Sequence, residues 1–235
     1  MVEKLFYEDV YARECRSAIT KIDENTVELA TTVFYPAGGG QPGDSGVLTW
    51  GDQQVRITDA RYNADRDGIL HFLESMSADL EVGTTVKVEL DWNRRLRHMR
   101  IHTAMHLLCS LVPESVTGGS LSAEQGRLDF DVQSSELDKE RLTRELNALV
   151  EKAIPVRIES ISESELDANP DLVRTMSVKP PRGHGDIRMV RVEETDFQPC
   201  GGTHVINTGE IGRLMVSKIR SKGKHNKRII LQLLD

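Results

Sequence analysis

Cysteine is scarce. Three residues (Cys15, Cys109, Cys200) in a chain of 235 are too few, and odd in number, for a disulfide framework, so the thiols are read as reduced. Long apolar runs are absent too, and nothing in the sequence approaches the roughly 20 residues that span a bilayer. The opening stretch MVEKLFYEDVYARE has no apolar core of the kind a secretory signal needs. No internal repeat and no low-complexity tract interrupts the chain. The expectation is a cytoplasmic globular protein with no membrane partner, and 38% hydrophobic with 29% charged residues is ordinary for that class. This length buries a substantial core, as one large domain or two modest ones.

The net charge of −7 argues against a nucleic-acid partner only until its distribution is read. Residues 1–91 hold 17 Asp/Glu against 8 Lys/Arg, whereas residues 92–235 hold 20 against 22. Within the second part, 213–228 (RLMVSKIRSKGKHNKR) carries seven basic residues and no acidic one. Such a strip either meets phosphate or stays a solvated face, and charge alone does not choose.

The hydrophobic period divides the chain at the same place. Up to Asp91, short β-branched or alternating stretches (17–23, 26–34, 47–50, 53–60, 68–73, 84–91) predict strands at barrel-like spacing. From Asn93 to Val112, apolar Leu96, Ala104, Leu107, Leu108 and Leu111 recur at helical spacing until Pro113. Strands are expected at 116–121, 126–132, 155–161 and 187–192, and a terminal hairpin at 213–221 and 227–234. A second helix is expected after a cap at Ser134 or Ser135, with Leu137, Leu142, Leu146, Leu149 and Val150 inward. Ser162–Ala168 reads as a helical turn, Pro170–Met176 is ambiguous, and Lys179–Gly185 and Thr195–Asn207 read as loops. The fold class is therefore α+β: a small β-barrel over 1–91, then a two-layer α/β sandwich over 92–235 with a mostly antiparallel sheet.

Two stretches carry chemistry. Tyr35-Pro-Ala-Gly-Gly-Gly-Gln-Pro-Gly-Asp-Ser-Gly46 packs five glycines into twelve residues, either an anion-binding nest or a flexible hairpin loop. Its side chains Gln41 and Asp44 either contact a ligand or cap the turn. The other stretch is split: His102-Thr-Ala-Met-His106 and, far downstream, Cys200-Gly-Gly-Thr-His204. Residues four apart on a helix share a face, so His102 and His106 can grip one ion, with His98 a rival one turn back. Three imidazoles and a thiolate suit zinc better than calcium or magnesium. Thr103 stands where zincin proteases carry their glutamate base, which argues against that chemistry. Four protein ligands describe a closed structural zinc, whereas catalytic zinc usually has three and an open position; ligand counting leaves both in view.

These motifs resemble a known family. His102-Thr-Ala-Met-His106-Leu-Leu with Cys200-Gly-Gly-Thr-His204-Val and Thr208-Gly-Glu-Ile-Gly212 is similar to the editing domain of alanyl-tRNA synthetase and its freestanding relatives, the AlaX trans-editing proteins. Phe34–Gly46, Gly119-Ser-Leu121 and Arg127-Leu-Asp-Phe-Asp131 fit the same pattern, so the resemblance runs from about residue 5 to the end. It implies a medium-sized, freestanding AlaX-type protein whose N-terminal domain is a translation-factor-like barrel. The implied activity is ATP-independent hydrolysis of serine from mischarged tRNA(Ala), with glycine as a second amino acid for some relatives and no obligatory protein partner. Alternatives are a zinc-stabilised tRNA-binding module without turnover, and editing of Ser-tRNA(Thr).

The resemblance further implies one Zn2+ on His102, His106, Cys200 and His204. It puts Thr117 at the position that reads the serine hydroxyl, the alternative being a surface strand threonine, and gives weight to Gln41, Asp44 and the motif glycines Gly38, Gly39 and Gly40. Thr103 is the next candidate, although a helix hydroxyl more often bonds back to its own turn. Basic residues then expected on the acceptor stem are Arg94, Arg95, Arg97, Lys218, Arg220, Lys222, Lys224, Lys227 and Arg228.

Overall fold

The computed structural model describes residues 2–132, 137–175, 185–223 and 225–234, and the chain divides into two compact units, Met1–Leu96 and Arg97–Asp235. No helix among the described residues is long and apolar enough to cross a membrane.

The first unit contains β1 (Glu3–Lys4), one helical turn α1 (Leu5–Glu8), β2 (Glu14–Asp23), β3 (Thr26–Leu29), β4 (Thr31–Thr32), β5 (Gly46–Trp50), β6 (Gln53–Tyr62), β7 (Ile69–Leu73) and β8 (Thr85–Leu90). Strands β2-β3-β7-β6-β5-β8 close into a barrel, every pair antiparallel. The period-two alternation in β8 sends Val86, Val88 and Leu90 inward and leaves Thr85 and Glu89 to solvent. Phe6, Ile19, Val27, Phe34, Leu48, Ile57 and Ile69 complete that core. The stretch 26–34, expected as one strand, breaks at Ala30, whose carbonyl accepts from Glu3 N (2.9 Å) as β1 pairs in parallel with β4.

One polar group sits inside this barrel. His71 is fully buried; its Nδ1 lies 3.1 Å from the Val27 carbonyl and its Nε2 2.8 Å from Thr32 Oγ1. Since Nδ1 must donate to the carbonyl, Nε2 is bare and accepts from the threonine, whose oxygen takes the Phe34 N–H at 3.1 Å. Burial lowers the His71 pKa to about 4, against the hydrogen bonds to Val27 and Ile69 that favour the charged ring. A depressed folded-state pKa contributes stability that is complete above the unfolded value near 6.5 and drains as pH falls toward 4. Acidification from pH 7 to pH 4 is therefore expected to remove up to about 3 kcal/mol through this group. Urea midpoints at pH 7, 5.5 and 4 for the wild type and His71→Phe measure it; parallel pH dependences would dismiss the assignment.

Helix α2 (Trp92–Leu111) leads into the second unit, followed by β9 (Val116–Leu121), β10 (Gln125–Asp131), α3 (Lys139–Glu151), β11 (Val156–Ile161), α4 (Glu163–Ala168), β12 (Ile187–Val192), β13 (Asp196–Pro199), β14 (Leu214–Ser221) and β15 (Asn226–Leu233). Short 3-10 turns occupy Pro170–Leu172 and Thr208–Ile211. Two antiparallel sheets result, β14-β15-β10-β9 and β11-β12-β13. Helix α2 lies close on the first: a Cβ at Gly126 would stand 2.8 Å from Ile101 Cγ2 and 2.9 Å from Met105 Sδ, so any larger residue there would have to displace those side chains. Helix α3 buries Leu142, Leu146 and Val150 and closes the edge of β14. Asn147 bonds both the Leu214 amide (2.9 Å) and carbonyl (2.8 Å), and Thr143 accepts from Val216 N (3.1 Å).

Three local expectations need correction or placement. Asp138, accepting from Arg141 N at 2.8 Å, caps α3, so Leu137 precedes the helix, and the expected cap at Ser134 or Ser135 lies outside the described residues. Within the loop expected over 195–207, β13 pairs with β12 from Val192↔Asp196 to Met189↔Pro199. Most of the expected loop over 179–185 also lies outside the described residues.

Candidate metal centre

Helix α2 is secured at both ends. Asp91 accepts from Arg94 N (3.2 Å) at the start, and the Arg174 guanidinium donates to the carbonyls of Cys109 and Val112 (2.9 Å each) at the finish. Between them His102 and His106 stand one turn apart on one face. The second ligand pair leaves the end of a strand. Cys200 is the first residue beyond β13, its amide still donating to the Arg188 carbonyl at 3.2 Å, and the chain then turns through Gly201 and Gly202 to His204.

The two halves meet. Donor atoms of His102, His106, Cys200 and His204 all lie within 4.8 Å of one another. Cys200 Sγ is 3.5 Å from His102 Nε2 and 3.4 Å from His204 Nε2. A tetrahedral zinc with Zn–S near 2.3 Å and Zn–N near 2.0 Å has S···N edges of about 3.5 Å, so the donor set fits such an ion in chemistry and in span. All three histidines are buried, and Cys200 is the partly exposed member.

Neighbouring groups fix the imidazoles. Thr103 Oγ1 donates to the Met99 carbonyl (2.9 Å); its oxygen can then only accept, from Val205 N (3.3 Å) and from His204 Nδ1 (3.1 Å). His204 therefore carries its proton on Nδ1 and points a bare Nε2 at the centre. On the other side, His106 Nδ1 donates to Asp196 Oδ2 at 2.8 Å, and Gln198 Nε2 steadies that carboxylate at 2.9 Å. This is the carboxylate–histidine pairing that orients metal ligands and strengthens them as donors.

The charges follow from the packing. Burial works against a thiolate at Cys200, yet His102 and His204 hold its pKa well below the ordinary thiol range. Burial, with His102 beside it, drives His204 well below the usual imidazole range, keeping it neutral. At His106 burial is outweighed by the hydrogen bonds that the ring donates to Asp196 and Cys200, which push it up to about 10; a metal would take the place of the proton facing Cys200. Thiolate and Asp196 carboxylate together would balance a divalent ion held by these donors. Asp196→Asn is expected to weaken metal binding by about 10–100-fold with the fold retained. Competition against a chromophoric chelator reads this, and an affinity within twofold of wild type would refute it.

Family models match two stretches of the chain: the class II (A) tRNA synthetase model over residues 3–94 and the threonyl and alanyl tRNA synthetase second additional domain over 187–230, which includes Cys200 and His204. The chain is 34% identical to the alanyl-tRNA editing protein AlaX-M of Methanosarcina barkeri, all of both chains being aligned. It belongs to the AlaX family of alanyl-tRNA editing proteins. The AlaX-M protein of Saccharolobus solfataricus is 35% identical over 97% of this chain and 98% of its own. An alanine–tRNA ligase of Pyrococcus furiosus is 34% identical over 96% of this chain but only 25% of its own length.

Within this AlaX-family chain, several residues expected to touch substrate are occupied otherwise. Thr103 is buried, with its hydroxyl between the Met99 carbonyl and His204 Nδ1. Asp44 is buried, accepts from Tyr35 N (2.6 Å) and pairs with the fully buried Arg95, which therefore cannot reach a phosphate. Arg94 Nη1 donates to the Gly43 carbonyl (2.7 Å), so both arginines hold the Gly-rich loop. The loop is an ordered turn and not an open nest. Gly39 and Gly40 take φ of 58° and 84°, and Gly38 and the buried Gln41 exchange N–H···O bonds of 3.0 Å. Thr117 donates to the Asp129 carbonyl (3.2 Å) and accepts from Asn226 Nδ2 (2.9 Å).

Among the basic residues, Arg97 bonds the Ala123 carbonyl (2.7 Å), Arg228 forms a two-pronged pair with Asp129 (2.7 and 2.8 Å), and Lys227 reaches Ser221 Oγ (2.7 Å). Lys218, Arg220 and Lys222 are exposed, and Lys224 lies outside the described residues. Sequence reasoning missed Asp196 and Gln198. An alternating DFQ just before the cysteine was the available signal, since a strand there turns both side chains to one face.

Proposed function

We propose that this chain hydrolyses the ester joining serine to mischarged tRNA(Ala), in trans, with one zinc ion held by His102, His106, Cys200 and His204. The observation that carries the reading is the convergence of those four donors in a chain that aligns end to end with alanyl-tRNA editing proteins. A site tolerating alanine cannot strongly exclude a side chain that merely adds a hydroxyl, so a second, hydrolytic site is needed, and it rejects alanine if it satisfies that hydroxyl. Bound here, zinc supplies a Lewis acid at the reacting carbonyl.

The chain's own residues do the rest. Asp196 and Thr103 accept hydrogen bonds from the Nδ1–H groups of His106 and His204, which aims both Nε2 atoms at the position the ion would occupy. Cys200, the partly exposed donor, marks the side from which an ester can approach. The reaction consumes one water and releases serine and a terminal ribose hydroxyl. For tRNA, exposed Lys218 and Arg220 share the outer face of the four-stranded sheet with Arg127, which lies opposite the Ile230 that pairs with Lys218. A basic sheet face suits an acceptor-stem backbone, with affinity that falls as salt rises. We assign the editing role to residues 92–235 and substrate support to the barrel of 1–91.

Incubation of zinc-replete protein with Ser-, Gly- and Ala-tRNA(Ala) and with Ser-tRNA(Thr) tests the reading. Serine release from Ser-tRNA(Ala) alone, or with glycine release, is the expected result. Absence of release from every substrate leaves the metal-stabilised tRNA-binding module, and preference for Ser-tRNA(Thr) reassigns the substrate.

A further inference from the structure

Among the described residues, the sulfur of the partly exposed ligand meets the ligand imidazoles and the Gly202 amide, with no carboxylate or hydroxyl behind it like those on His106 and His204. Its thiolate is instead positioned through its backbone, and one residue grips that backbone from both directions. Pairing of β12 with β13 ends at Met189↔Pro199, and the ladder runs one bond further: Cys200 N donates to the Arg188 carbonyl at 3.2 Å. From the same residue, the Arg188 guanidinium folds back, and Nη1 donates to the Cys200 carbonyl. Both polar groups of the cysteine's main chain are thus held by Arg188, one by its backbone and one by its side chain. Beyond that point the chain turns sharply; Gly202 N returns a donor to Cys200 Sγ at 3.4 Å, and Gly201 is exposed.

We infer that Arg188 is a positioning residue for the metal centre, setting where the Cys200 sulfur sits by fixing the peptide groups on either side of its Cα. A charged donor on a carbonyl makes a stronger tether than a neutral one, which matters at a loop whose next two residues are glycines. The ordinary alternative is that Arg188 merely stabilises the β11-β12-β13 sheet. Arg191, three residues on in β12, supplies the comparison: its guanidinium pairs with Glu159 (2.7 Å) and lies 3.7 Å from the centre of the Phe197 ring, remote in role from the cysteine backbone. The inference rests on the metal reading proposed above.

The test is cobalt substitution of the full chain, following the thiolate-to-cobalt charge-transfer band and the metal affinity by chelator competition, beside thermal unfolding of the metal-free protein. Arg188→Met is expected to weaken metal binding by about 10–100-fold and shift the band, as loss of an outer support does. Arg191→Met is expected to lower the unfolding temperature and leave the band unmoved. Arg188→Lys, which keeps a cationic donor, should recover most of the affinity. Wild-type affinity and an unshifted band in Arg188→Met would overturn the inference, as would an identical profile for the two methionine variants. If Arg188→Met yields no folded protein, Arg188→Gln carries the same expectation and the same refutation. Failure of wild-type protein to take up cobalt on a thiolate would instead strike the metal reading itself.

Discussion

Cys200→Ala is expected to strip the chain of its metal and to lower deacylation of Ser-tRNA(Ala) by about 10³-fold, matching the several kcal/mol a Lewis acid contributes at a reacting carbonyl. The physical reason is specific to this ligand. Sγ stands 3.4–3.5 Å from two imidazole nitrogens, and it alone brings negative charge to the donor set. Removing it leaves three neutral donors around a dication. Metal content per chain and serine release are read on the same preparation, with chelator-treated wild type as the reference and zinc restoration as its reversal. Wild-type turnover from a metal-free variant would remove the ion from the chemistry. Loss of stability with turnover per folded molecule unchanged would make the centre structural.

The second large effect lies in the barrel unit. Asp44→Ala is expected to destabilise it by about 3–5 kcal/mol, because the mutation strands a guanidinium that has no solvent to return to. Arg95 is wholly buried, and with Asp44 gone its remaining hydrogen-bond partner among the described residues is the Val33 carbonyl at 2.8 Å. Pairing the change with Arg95→Met should recover much of the loss, since an apolar pair of similar volume avoids the desolvation penalty that the ion pair had to offset. Urea unfolding of the two single variants and the double variant decides it. A cost for Asp44→Ala below about 1 kcal/mol, the level of an exposed pair, would show that water reaches the site.

Much of this molecule is legible from local pattern. The helix carrying His102 and His106 follows from apolar spacing ended by Pro113, and most barrel strands from two-residue alternation, because side-chain direction is set by neighbours in sequence. What escaped was set by distance along the chain. Thr103 meets His204 across 101 positions and His106 meets Asp196 across 90, so no local signal says that a helix threonine orients an imidazole. Arginines misled for the opposite reason. Arg94 and Arg95 look like a solvated or phosphate-seeking cluster in sequence, but one is buried against Asp44 and the other spends a donor on Gly43. A charge count does not reveal which cations are already paired. Family resemblance supplied the ligand set; it did not supply the groups that aim those ligands.

The spacing of the two ligand pairs also orders events in time. His102 and Cys200 are separated by 98 positions, with β9 through β13 between them. A chain emerging from the ribosome offers only two histidines of the set until the third sheet strand, β13, is complete, and two imidazoles make a poor grip on any ion. Four-donor capture must therefore come late, after most of the second unit has been synthesised. Once made, the proposed capture would act as a clasp on nearly a hundred residues, the kind of long loop whose closure restricts the unfolded chain most. On the metal reading proposed above, metal supply in the cell would bear on the final locking of this unit and not on the folding of the barrel that is synthesised before it.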